Sequence, residues 1–210
     1  MPGTEKAPAS GLYAALMEEV KIRLSSIDSA LAGRMDLPSP IVREFCFLQL
    51  RMLCELIALA CLRAHGDIKE TTRLRKEYSA AKIIERLERL HPEFFPQPIR
   101  LKRTGPGTHT ADEVKTGFLT KGKLLTLYGR CGDVLHRGSL KRLISPRTTT
   151  QTSFPDIAAW RRGIEALLCQ HFIQFSDEKV RMICTLRTIE DSNRVQVVIA
   201  STDPPQRPPA

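Results

Sequence analysis

Aromatic side chains are scarce in this chain of 210 residues, with one Trp, three Tyr and eight Phe. No aromatic-rich strand motif occurs among them, which argues against a single-stranded RNA platform of the RRM type. None of the six cysteines forms a C-x-x-C pair, so a zinc ribbon or a thioredoxin-like redox site has no basis. P-loop, G-x-G-x-x-G, H-E-x-x-H and G-x-S-x-G motifs are all missing, and with them the expectation of an ATPase, dehydrogenase, zincin or serine hydrolase. The longest apolar stretch, residues 45–62, is interrupted by Arg51 and Glu55 and falls short of the roughly 18 uninterrupted residues a membrane span needs. The opening residues MPGTEKAPAS lack the charged-then-apolar order of a signal peptide. No internal repeat is visible.

What is abundant is positive charge, and it is concentrated. Lys and Arg number 32 against 23 acidic residues, a formal +9. Between residues 97 and 150 lie 11 basic residues and 3 acidic ones, so a quarter of the chain carries +8 of that excess. Arg100, Lys102, Arg103, Lys121, Lys123, Arg137, Lys141 and Arg142 are the candidate contacts to a polyanion such as RNA, DNA or acidic lipid. A solvated surface kept soluble by like charge is the simpler alternative. The thiols Cys46, Cys54 and Cys61 sit in an apolar helical stretch, where free cysteine behaves as a small hydrophobe. A reducing compartment, the cytoplasm, follows as the expected setting.

Periodicity predicts a mainly α fold: a five-helix bundle with a C-terminal β-hairpin, forming one domain over residues 11–202. Residues 1–10 and the proline-rich 203–210 read as flexible tails. The first helix is expected over residues 12–31, stopped near Gly33. The second follows Ser39 and runs to His65, apolar almost all round and therefore central. A third spans residues 77–90, after which Phe94 and Phe95 anchor a proline-rich connection. Residues 99–109 read as a basic loop. Thr110 and Glu113 form a capping-box pattern that opens a fourth helical region, broken near residues 117–121 and ending at Arg137. The fifth helix starts at Pro155 and carries a stripe through Trp160, Leu168, His171 and Phe175. From residue 178 to 201 the period changes to two, with Ser192 and Asn193 in the turn of a hairpin. Such a hairpin is marginal alone and must dock on the bundle or pair with a second subunit.

Chemistry concentrates in residues 128–138. On one helix, Gly122, Leu125, Gly129, Gly132 and His136 fall on one face, a small-residue seam ending at a histidine. The second helix offers a polar stripe, Glu44, Arg51 and Glu55, which either forms an ordinary i,i+4 pair facing water or a buried network orienting Arg130 and His136. Asp133 joins that supporting set, or pairs with Arg137 on the surface. Cys131 and His136 are too few to define a metal site, and no metal or cofactor is expected. His65, His91 and His109 sit at a helix stop, before a proline and in a loop; His171 reads as a core histidine.

The segment Tyr-Gly-Arg130-Cys-Gly-Asp-Val-Leu-His136-Arg-Gly resembles the signature of the HEPN superfamily of helical domains, an Arg separated from a His by four to six residues at a helix end. The commoner pattern has a polar residue such as Asn after the Arg, where this chain has Cys131. The resemblance implies a metal-independent endoribonuclease of toxin or defence type, or a noncatalytic RNA- or nucleotide-binding module, working as a dimer. In the catalytic case His136 exchanges protons with the RNA backbone and Arg130 neutralises charge on the phosphorane. Six residues of regular helix turn Arg130 and His136 about 120° apart, so convergence needs an unwound helix near Gly132 or two subunits pooling their motifs. The competing expectations are a noncatalytic helical module that docks a partner protein, and nonspecific nucleic-acid binding through the basic loops.

Overall fold

The structure, a computed structural model, describes residues 6–66, 68, 74, 76–105, 108–136, 153–177, 179–188 and 192–201. Among these residues are five helices, α1 (Lys6–Leu31), α2 (Ser39–Ala64), α3 (Ala80–Leu90), α4 (Lys121–Leu135) and α5 (Phe154–Leu168). Five strands accompany them, β1 (Gln97–Gly105), β2 (Thr108–Glu113), β3 (Gln170–Gln174), β4 (Val180–Thr188) and β5 (Arg194–Ser201). The strands form one antiparallel sheet in the order β2-β1-β3-β4-β5. The expected helical bundle with a single hairpin is thereby corrected to a mixed α/β fold, in which α1 and α5 contact the five-stranded antiparallel sheet and α2, α3 and α4 pack among the helices.

Burial explains the parts that match the expectation. Helix α1 sets Tyr13, Met17, Val20, Leu24 and Ile27 on one face at spacings of three and four, and all are fully buried. It ends in a Schellman motif: Gly33 takes a left-handed φ of 71°, its N–H reaches Ala30 O, and Arg34 N–H reaches Ser29 O. Its start at Lys6 makes residues 6–10 helical, inside the segment read as a tail. The second expected tail, residues 203–210, lies outside the described residues. Helix α2 is the central element, contacting α1, α3, α4 and α5. Its length and composition would let it cross a membrane, but most of its apolar residues, from Val42 to Ala64, are buried within this fold. The hairpin β4–β5 forms where alternation predicts it, and docks in cis: Met182, Cys184 and Leu186 face the core, while Val195 N–H donates to Glu18 Oε1 of α1 at 2.7 Å.

Three expectations fail for identifiable reasons. Residues 99–105 and 108–113, read as a loop and a capped helix start, belong to the strands β1 and β2; Thr110 and Glu113 pair with Lys102 and Ile99. Few side chains there enter the core, so no apolar alternation marks the strands. Helix α4 consequently starts only at Lys121, capped by Thr120 Oγ1 accepting from Lys123 N–H at 3.3 Å, after a turn in which Gly117 has φ 87°. Finally, α5 stops at Leu168, and His171 and Phe175 belong to the β3 region. Buried His171, Ile173 and Phe175 alternate with period two, yet His171 and Phe175 also continue the helical spacing of Ile164, Leu167 and Leu168.

His171 closes the core. Its Nδ1–H donates to Leu168 O at 3.0 Å, so Nε2 accepts the Tyr13 hydroxyl at 2.6 Å. Full burial pushes its pKa down to about 4.

Candidate functional site

Helix α4 buries Leu124, Leu127 and Cys131, spaced three and four apart, against the fold. The glycine seam expected on its packing face points elsewhere. A Cβ added at Gly122 or Gly129 would meet nothing within 4 Å, and both glycines are exposed. Only Gly132 looks toward α2, where a Cβ would lie 4.0 Å from Nη1 of Arg51.

Arg51 and Glu55 form the i,i+4 pair, Nε to Oε1 at 3.1 Å, with side chains 28% and 23% exposed. The pair is roofed by Tyr128 of α4. Arg51 Nη2 donates to the Tyr128 hydroxyl at 3.4 Å, and that hydroxyl donates to Glu55 Oε1, also at 3.4 Å. The guanidinium carbon sits 5.1 Å from the centre of the Tyr128 ring. The network therefore grips α4 at Tyr128 and beside Gly132, two residues either side of Arg130. Tyr128 is the member that sequence reasoning missed as a site residue. Its signal was present: it lies four residues after Leu124 and three before Cys131, at the edge of the buried face.

Arg130 and His136 are both exposed. Helix α4 is regular through Leu135, and His136 caps it with its backbone N–H on Gly132 O at 3.0 Å and an extended φ of −93°. The helix does not unwind at Gly132, so the two side chains leave it about 120° apart and about 9 Å apart along its axis. Asp133 is exposed on the same turn, and Glu44 is exposed one and two turns before Leu48 and Arg51 on the α2 stripe. Cys131 is buried, which raises its thiol pKa to about 12, whereas His136 faces solvent; the two do not share a site. Among the described residues no group of three or more His, Cys, Asp or Glu side chains could hold a metal ion.

The basic candidates divide into three groups. Arg100, Lys102 and Arg103 are exposed on β1, with Lys102 paired to Asp112 at 2.5 Å, a contact that holds the aspartate below the usual carboxylate range. Lys121 pairs with Glu88 of α3, while Lys123 is exposed and shares a face of α4 with Arg130, seven residues on. Arg137, Lys141 and Arg142 lie outside the described residues. Comparison with known protein families, curated proteins and solved structures finds no match to this chain.

Proposed function

We propose that this chain is an RNA-directed protein that cleaves RNA without a metal ion, using Arg130 and His136 drawn from two copies. The observation that carries the reading is their exposure at one end of α4, a helix held in place by the Arg51–Glu55–Tyr128 network. The segment's resemblance to the HEPN signature points the same way. Because the side chains diverge within one chain, a shared phosphate site requires a homodimer in which each copy supplies part of the pair. In such a site His136 of one copy takes the proton of the 2′-hydroxyl as its oxygen bonds to phosphorus, and the imidazolium so formed returns that proton to the departing 5′-oxygen. The forked guanidinium neutralises the equatorial phosphorane oxygens. The products are a 2′,3′-cyclic phosphate end and a 5′-hydroxyl end.

Six free cysteines, five of them buried, suit a reducing setting, which in this reading is the cytoplasm. The test is incubation of the purified chain with total and structured RNAs in EDTA. Wild-type protein should cut, and Arg130→Ala or His136→Ala should abolish cutting while circular dichroism stays unchanged. Intact RNA after incubation with the wild type overturns the reading. Binding without cleavage is the second reading, favoured by the same divergence of the two side chains; it gives salt-sensitive RNA binding and no cyclic phosphate ends.

A further inference from the structure

Strand β1 belongs to the sheet only at its beginning. It pairs with β3 through Gln97↔Phe172 and Pro98↔His171, whereas its ladder with β2 continues from Ile99↔Glu113 to Gly105↔Thr108. Beyond Pro98 the two strands therefore pair only with each other among the described residues, as a ribbon about 20 Å long at the usual rise per residue. Every side chain from Lys102 to Thr104 and from His109 to Glu113 is exposed, on both faces of the ribbon. Its base is anchored by buried Ile99, by Leu101 N–H on Gln170 Oε1 at 3.0 Å and by Val114 N–H on Pro98 O at 3.1 Å. A two-stranded ribbon that buries neither face is marginal in water, so a partner that lines it supplies the missing stabilisation.

We infer that the ribbon is an arm that grips the sugar–phosphate backbone of a nucleic-acid double helix, which on the reading above is structured RNA. Its chemistry selects this partner. The ribbon holds three cations, Arg100, Lys102 and Arg103, against two acids nearer its base, Asp112 and Glu113, with Arg100 directly opposite Asp112; its outer part, from Lys102 to Thr110, carries cations and no acid. The Lys102–Asp112 pair is more than half exposed on both sides, so it contributes little and yields readily to a phosphate. The ribbon has no Phe, Tyr or Trp, and His109 is its one ring, so it offers no stacking platform for a run of bases and favours backbone contacts over single-strand readout. It has no large apolar residue beyond Leu101, which leaves nothing to enter a membrane. A-form RNA closes its major groove to side chains and opens a shallow minor groove lined with 2′-hydroxyls. Alternation places Arg100, Lys102 and Thr110 on one face of the ribbon and Arg103 with His109 on the other; against that groove the Thr110 hydroxyl meets a 2′-hydroxyl, Arg100 and Lys102 meet phosphates beside it, and Arg103 meets the backbone from the ribbon's opposite face. Seven residues after the ribbon the chain enters α4, whose exposed residues include the further cations Lys123 and Arg130.

The experiment is fluorescence anisotropy on full-length chain carrying His136→Ala, which prevents cleavage. The probes are a labelled RNA duplex of about 20 base pairs, a single strand of the same composition and a DNA duplex of the same length, each at two salt concentrations. The expected result is duplex binding preferred over single-strand binding. Adding Arg100→Ala, Lys102→Ala and Arg103→Ala should weaken duplex affinity at least tenfold and lower the salt slope by two to three ions, with the circular dichroism spectrum unchanged. Undiminished duplex affinity in that variant, or a parent that prefers single strands, overturns the arm and leaves the cleavage site standing. A wild-type chain that binds duplexes through the arm yet never cuts RNA overturns the nuclease reading and leaves the arm. Equal affinity for the DNA duplex overturns RNA selectivity as part of the arm's role.

Discussion

Helix α4 and the β1–β2 ribbon are neighbours in the chain, yet one is built on burial and the other on backbone pairing. Helix α4 places Leu124, Leu127 and Cys131 wholly out of solvent, and each such leucine contributes about 1.5–3 kcal/mol on burial. The outer ribbon buries almost nothing and is held by its ladder of backbone hydrogen bonds. The difference teaches where function can reside. Side chains of the ribbon are free to be chosen for a partner, while those of α4 are split between a packed side and a face presented to solvent, where Arg130 sits.

Substitutions that respect this contrast should have very unequal effects. Leu124→Ala opens a cavity beneath α4 and should cost about 3 kcal/mol, read as a drop in the guanidinium unfolding midpoint. An effect below about 1 kcal/mol would mean that α4 is not seated as described. A comparable change should follow from pH alone. His171 titrates near 4 in the folded chain against 6.5 ordinarily, so the unfolded state takes up a proton first as pH falls. Stability from this group is whole above 6.5, declines as pH drops toward 4 and is flat below; the loss is on the order of 3 kcal/mol. The stability gap between wild type and His171→Gln, measured across that range, should narrow toward acid pH, and a constant gap would contradict a neutral buried imidazole.

Tyr128→Phe keeps the ring over Arg51 and removes only the hydroxyl that joins Arg51 to Glu55. About 1 kcal/mol should be lost, because all three side chains remain partly exposed. Thr104→Ala on the ribbon should change stability by less than about 0.5 kcal/mol, since no core depends on it. A large loss at Thr104 would mean the ribbon is packed against something and would erase the contrast with α4.

The same contrast governs how much of the molecule could be read from its sequence. Helices α1 and α5 and the β4–β5 hairpin were legible because a core on one side imposes a period on their apolar residues, and α2 because it is apolar almost all round between Ser39 and Gly66. Strands β1 and β2 were not, because a ribbon solvated on both faces leaves no alternation, and Thr110 and Glu113 imitate a helix cap. The start of β3 was hidden because His171 and Phe175 fit the helical stripe of α5 as well as an alternating one. In the candidate site, the Arg51–Glu55 pair followed from spacing alone. Its contact with Tyr128 did not, since that depends on the side of α4 turned to α2. Gly122 and Gly129 misled for a related reason: a stripe of small residues looks the same whether it admits a helix or faces water.

Cleavage by this chain requires Arg130 of one copy to meet His136 of another, and mixing variants tests that most directly. Arg130→Ala and His136→Ala proteins, each inactive alone, should regain RNA cleavage when unfolded and refolded together, because the mixed dimer assembles one intact pair. A mixture as inactive as either variant, beside an active wild type refolded in the same way, would contradict it.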